Sequence, residues 1–219
     1  MQLNRVQEWL ENQYDLSLAP RVEDFLLEDR TTALALAAVS GLGSTPEALL
    51  VCEQEGEMEL SVYLDAQVMG QLRNDNPLDE VNTGNFAPLM LAVEGVSHFV
   101  CLVWHALSGR PVSQLAMELQ AAVDKFLFAR ALIAKQHGPR AALPVHAWLF
   151  RDARLRPRLS ADARWRYQMA GRLAAAYCHQ LQRSEGCWRS ASDAALSQEL
   201  CRFYRLPAAQ KVRHAGQSK

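Results

Sequence analysis

Glu94, His98, Cys101 and His105 combine residue types and spacing that could do chemistry. At about 100° per residue they fall near 0°, 40°, −20° and 20° on a helical wheel, a stripe about 60° wide. One carboxylate, two imidazoles and a thiol on one arc could hold a divalent metal ion. Glu94, His98 and His105 are the metal-ligand candidates, and a His–Glu pair there could also serve as a metal-free acid/base dyad. The spacing matches neither His-Glu-x-x-His nor the Glu-x-x-His of di-iron bundles. The plain alternative is a satisfied structural network, since buried histidines are mostly structural.

The stripe needs a helix to carry it. Residues 86–107 supply one long helix, or two allowing for Pro88, and Val96, Phe99, Val100, Leu102, Val103 and Trp104 make the flanks apolar almost all round. Such a helix is buried, so its polar stripe must find partners. Gly109-Arg110-Pro111 breaks the chain, and Pro111 suits the first turn of a second helix running to about Lys135. The short break predicts antiparallel neighbours. Gln114, Glu118 and Lys125 share one arc of the second helix, which predicts a network of Glu94, His98, His105, Glu118 and Lys125 across the contact.

Charge is distributed unevenly. Residues 1–100 carry four basic and seventeen acidic groups (net −13), and residues 101–219 carry nineteen and seven (net +12), which together return the overall −1. Such asymmetry bears on partners. Internally, an acidic part would face a basic one. Externally, Arg151, Arg154, Arg156 and Arg158, with Arg205 and Lys211, are candidates for gripping an acidic protein or a phosphate-bearing ligand. The pI of about 6.6 and the absence of a zinc finger, RNP1 or basic-zipper pattern leave no sequence-specific DNA-binding motif.

Apolar residues make up 49% of the 219 residues and charged ones 21%, which excludes a disordered or collagen-like chain. The five cysteines show no Cys-x-x-Cys pair, so a zinc ribbon or disulfide framework is unsupported and reduced thiols in the cytoplasm are expected. No secretory signal is read at the start, and the most apolar runs, 33–39 and 99–104, predict no membrane segment. Gly41-Leu-Gly43-Ser-Thr45 lacks the lysine of a phosphate loop, and Ser97 beside His98 is no hydrolase elbow.

The remaining elements follow from periodicity. A helix is expected over 2–14, a strand over 21–27, and a hairpin over 48–64 turning at Gly56. Asp65 should cap a short helix, and Arg73–Gly84 reads as a linker. Further helices are expected over 161–182, capped by Ser160, and from Ser192 or Asp193 to Pro207, with 211–219 a loose tail. The fold class is α+β: a small N-terminal antiparallel sheet with helices (acidic, 1–83), then a larger all-helical C-terminal part (basic, 84–219). Three functions compete. One is a cytoplasmic non-catalytic binding or regulatory protein that recognises an acidic or phosphate-bearing partner. Another is a metal-assisted hydrolase using Glu94, His98 and His105. The last is a structural subunit. An open pocket beside the stripe would favour the enzyme.

Overall fold

The computed structural model describes residues 1–37, 45–151, 160–183 and 194–217. The chain is α+β, with a small sheet in its N-terminal half and helices elsewhere. Helix α1 (Leu3–Tyr14) buries Leu3, Val6, Leu10 and Tyr14 at helical spacing. The segment expected as a strand over 21–27 is a 3-10 turn (Val22–Phe25) followed by β1, only Leu26–Leu27. The ambiguous segment after it forms α2 (Arg30–Leu36), whose N-cap Asp29 accepts from the Thr32 N–H at 2.6 Å.

The hairpin consists of β2 (Glu47–Gln54) and β3 (Glu57–Leu64). Glu55 and Gly56 both have positive φ, 52° and 86°, as a two-residue turn of matching twist requires. The sheet is mixed rather than purely antiparallel, because β1 runs parallel to β3 in the order β1-β3-β2. Asp65 caps α3 (Ala66–Asn74) by accepting from the Gln67 N–H at 2.9 Å.

Helix α4 (Phe86–Leu107) is the spine of the molecule. By length and composition it could cross a membrane, but 78% of its most apolar window is buried inside the fold, as befits a core helix. It packs against α1, α3, both hairpin strands and α5 (Gln114–His137). Pro111 lies outside α5, whose start is set by Ser113 accepting from the Ala116 N–H at 3.2 Å. Helices α6 (Val145–Phe150), α7 (Ala161–Arg183) and α8 (Ala194–Arg205) follow. Ser160 caps α7 as expected. One apolar cluster runs from Leu3 through Val62, Phe99 and Phe126 to Ala215.

The loose tail expected at 211–219 is instead helix α9 (Ala208–Gly216) through its described length. Pro207 does not end the helical region. It occupies the N-cap of a new helix that buries Lys211 and Ala215 one turn apart. The Lys211 ammonium donates to Gln120 Oε1 at 2.8 Å and sits 5.3 and 5.2 Å from the Phe203 and Tyr204 ring centres. Gln120 Nε2 donates to Asp124 Oδ1 at 2.8 Å, and Ser97 donates to Asp124 Oδ2 at 2.5 Å. Tyr14 completes the set by donating to the same carboxylate. Burial pushes the Asp124 carboxyl up and the Lys211 ammonium down, so each relies on these bonds. Lys211→Ala should therefore cost about 2–3 kcal/mol of stability in a urea titration. A loss of less than about 0.5 kcal/mol would return the segment to the status of a loose tail.

Candidate functional site

The stripe on α4 is buried along its whole length: Glu94, His98, Cys101 and His105 are all 7% exposed or less. It does not act as one unit. His98, on one flank, faces β2 and the first half of α5, while Cys101, on the other, lies on the side of Lys211 and Asp124. Glu94 is held by Lys125 at 2.7 Å. His98 Nε2 is 3.6 Å from Glu118 Oε2. One ligand atom from each of Glu94, His98 and Glu118 lies within 4.8 Å of the others. Four of the five residues expected to form a network across α4 and α5 are thus brought together.

His105 is not. It lies seven residues beyond His98, about 10 Å along the axis, so a shared arc gives it no reach into the cluster. Its Nδ1 donates to the Cys101 carbonyl at 2.8 Å, and its ring stands edge-on to Trp104. Burial pulls the imidazole pKa down. The set that geometry offers to a metal is Glu94, His98 and Glu118, in place of the expected Glu94, His98 and His105.

The sequence reading missed Glu47. This carboxylate begins β2 on the sheet face that meets α4, is 4% exposed, and places Oε1 3.2 Å from His98 Nδ1. Gly95 allows the approach: a Cβ there would stand 3.2 Å from Val62 Cγ1 and 3.5 Å from Glu47 Cγ. The expected loop ended at Pro46 and the hairpin began at residue 48, which left Glu47 between them in neither. Its signal was an acid two residues before Leu49, hence on the inward face of the strand.

The imidazole therefore has a carboxylate on each side. Nδ1 is engaged by Glu47, while Nε2 is buried and makes no hydrogen bond. Burial disfavours the imidazolium, but Glu118 and Glu47 together outweigh it and hold the His98 pKa well above its ordinary value. Burial raises the Glu47 carboxyl, opposed by His98 and reinforced by Glu94 and Glu118.

The cluster is open to a cleft of about 390 Å³. Glu47, His98 and Glu118 line it, with Leu102 and Met117 beside them and Arg166 and Tyr167 from α7. Among the described residues, the anion-binding candidates Arg151, Arg205 and Lys211 do not line it. Arg151 is exposed at the end of α6, and Arg154, Arg156 and Arg158 lie outside the described residues. Arg205 donates to the backbone carbonyls of Cys201 and Asp15, at 3.3 and 2.9 Å. The Lys211 ammonium is inside the core. Compared with known proteins, the chain matches no family model, no curated protein and no solved structure.

Burial pushes the Cys101 thiol up to about 11, and Cys178 is buried, whereas Cys52 is exposed. In the folded protein, a disulfide reagent at neutral pH should label Cys52 and leave Cys101 and Cys178 unmodified until denaturant is added. Labelling of Cys101 at the rate of Cys52, read by peptide mass mapping, would show that the stripe is open along its whole length.

Proposed function

We propose that the protein is a metal-dependent hydrolase in which Glu94, His98 and Glu118 hold a divalent transition-metal ion at the floor of the cleft. The observation that carries this reading is the state of His98. Its Nδ1 is bound by a buried carboxylate, its Nε2, without a hydrogen bond, stands 3.6 Å from Glu118, and a ligand atom of Glu94 lies within 4.8 Å of the His98–Glu118 pair. Carboxylate–histidine–metal triads are built this way: the outer acid fixes the tautomer and strengthens the inner nitrogen as a ligand. One imidazole with two carboxylates suits zinc, manganese or iron better than calcium. Three protein ligands leave positions for water, whose proton an ion of this kind makes easier to lose. Held there, the ion would supply the activated water that hydrolysis of an acyl or phosphoryl centre needs, with Glu94, His98 and Glu118 as its ligands. Lys125 keeps Glu94 in place, and Arg166 offers a counter-charge to an anionic substrate.

Arg166 in the cleft and the exposed Arg151 also support a second reading, a non-catalytic binding or regulatory protein for an acidic or phosphate-bearing partner. That reading requires no metal.

Titration calorimetry of chelator-treated protein separates the two. The hydrolase reading expects one zinc or manganese ion per chain. His98→Gln and Glu118→Gln should each weaken binding at least about tenfold, equivalent to about 1.4 kcal/mol. Because Glu118 and Glu47 raise the His98 pKa, an ion at the His98 Nε2 competes with a proton. Affinity should therefore fall as pH is lowered, and the heat should depend on the buffer's ionisation enthalpy. Absence of binding to the wild type, or equal binding by His98→Gln, would remove the metal reading.

A further inference from the structure

Among the described residues, strand β2 is an edge strand, paired only with β3. Its register shows which backbone groups point away from the sheet. Glu47 pairs with Leu64, and one step outward Asp65 N–H donates to the Pro46 carbonyl at 2.9 Å. Position 46 is thus a hydrogen-bonded site, and by alternation so are 48, 50 and 52. The N–H and C=O groups of Leu49 and Val51 point outward, and among the described residues they have no backbone partner. Ala48, Leu49, Leu50 and Val51 all line the cleft. Consecutive residues alternate between sheet faces, so four in a row means that the strand presents its edge to the cleft. That edge begins at Glu47, the residue bound to His98.

We propose that the cleft receives a peptide segment in extended conformation, which pairs with the outward groups of Leu49 and Val51 and thereby brings one of its peptide bonds to the Glu94–His98–Glu118 cluster. The inference names the substrate class of the hydrolase reading and rests on it. From Glu47 to Val51 the edge is about 13 Å long, room for three or four ligand residues. Main-chain pairing supplies affinity without regard to sequence, and the apolar Leu102 and Met117 offer contacts for alternate side chains. Hydrolysis in this pose adds the oxygen of one water to the carbonyl carbon and breaks the C–N bond. One water proton passes to the departing nitrogen, leaving a carboxylic acid, which ionises, and an amine.

Val51→Pro tests the pairing. It deletes one outward N–H and spares the β2–β3 ladder, because proline is tolerated where an edge-strand N–H faces outward. The probe is β-casein, an unfolded protein, carrying a fluorescent label. Zinc-free wild type should bind it, and Val51→Pro should bind it at least about fivefold more weakly while its zinc affinity stays within about twofold. A second measurement needs no variant. In the zinc-free wild type, exchange of the Leu49 and Val51 amides should slow when β-casein is added, while the Ala48 and Leu50 amides, already in the ladder, stay unchanged. Zinc uptake with no protection of Leu49 and Val51 would overturn the peptide proposal and leave the metal reading standing. Protection without zinc uptake would support peptide docking and remove the hydrolase reading.

Discussion

The contact between His98 Nδ1 and Glu47 Oε1 is the interaction on which the rest of the site depends. An imidazole inside an apolar helix bundle is costly unless both ring nitrogens are accounted for. Glu47 accounts for one and so orients the ring. The other then faces Glu118 at 3.6 Å, with Glu94 in the same cluster, and the pocket acquires a nitrogen donor among oxygen donors. The same contact joins residues 51 positions apart and ties the sheet to the helical part. Without Gly95 beneath the strands, Val62 and Glu47 could not come so close to α4.

Helix α4 carries two polar systems on the two flanks of one stripe. On one flank the cluster around His98 opens to solvent through the cleft. On the other, Ser97 reaches Asp124, and through Gln120 the network ends at Lys211. The second system is closed: Tyr14, Ser97, Gln120 and Lys211 are all buried, and they join α1, α4, α5 and α9. A satisfied buried network fixes how helices register. It therefore holds α4 and α5 at the spacing that Glu94, His98 and Glu118 require. One system is closed, and in the other His98 Nε2 makes no hydrogen bond and faces Glu118 across 3.6 Å.

Much of this was legible in the sequence where local periodicity decides the outcome. The burial of Glu94 and His98 followed from the apolar wheel around them. Glu118 and Lys125 followed from the short break that makes α4 and α5 antiparallel. What escaped depended on distance along an axis or across the chain. An arc on a wheel says nothing of axial reach, so His105 was grouped with residues it does not meet. Glu47 required the hairpin register to one residue, and its partner lies far along the chain. The basic end of the chain read as solvated because Lys211 is a lysine. Its place inside depends on Gln120 and two aromatic rings that only the packed helices bring together.

We propose from these geometries a nitrogen-and-oxygen metal centre beside the edge of β2. X-ray absorption at the zinc edge on the zinc-loaded protein tests that claim most directly. The account predicts a first shell containing one imidazole nitrogen at about 2.0–2.1 Å together with carboxylate oxygens, and the loss of the imidazole signal in His98→Gln. A shell without imidazole in the wild type, or one that His98→Gln leaves unchanged, would contradict it.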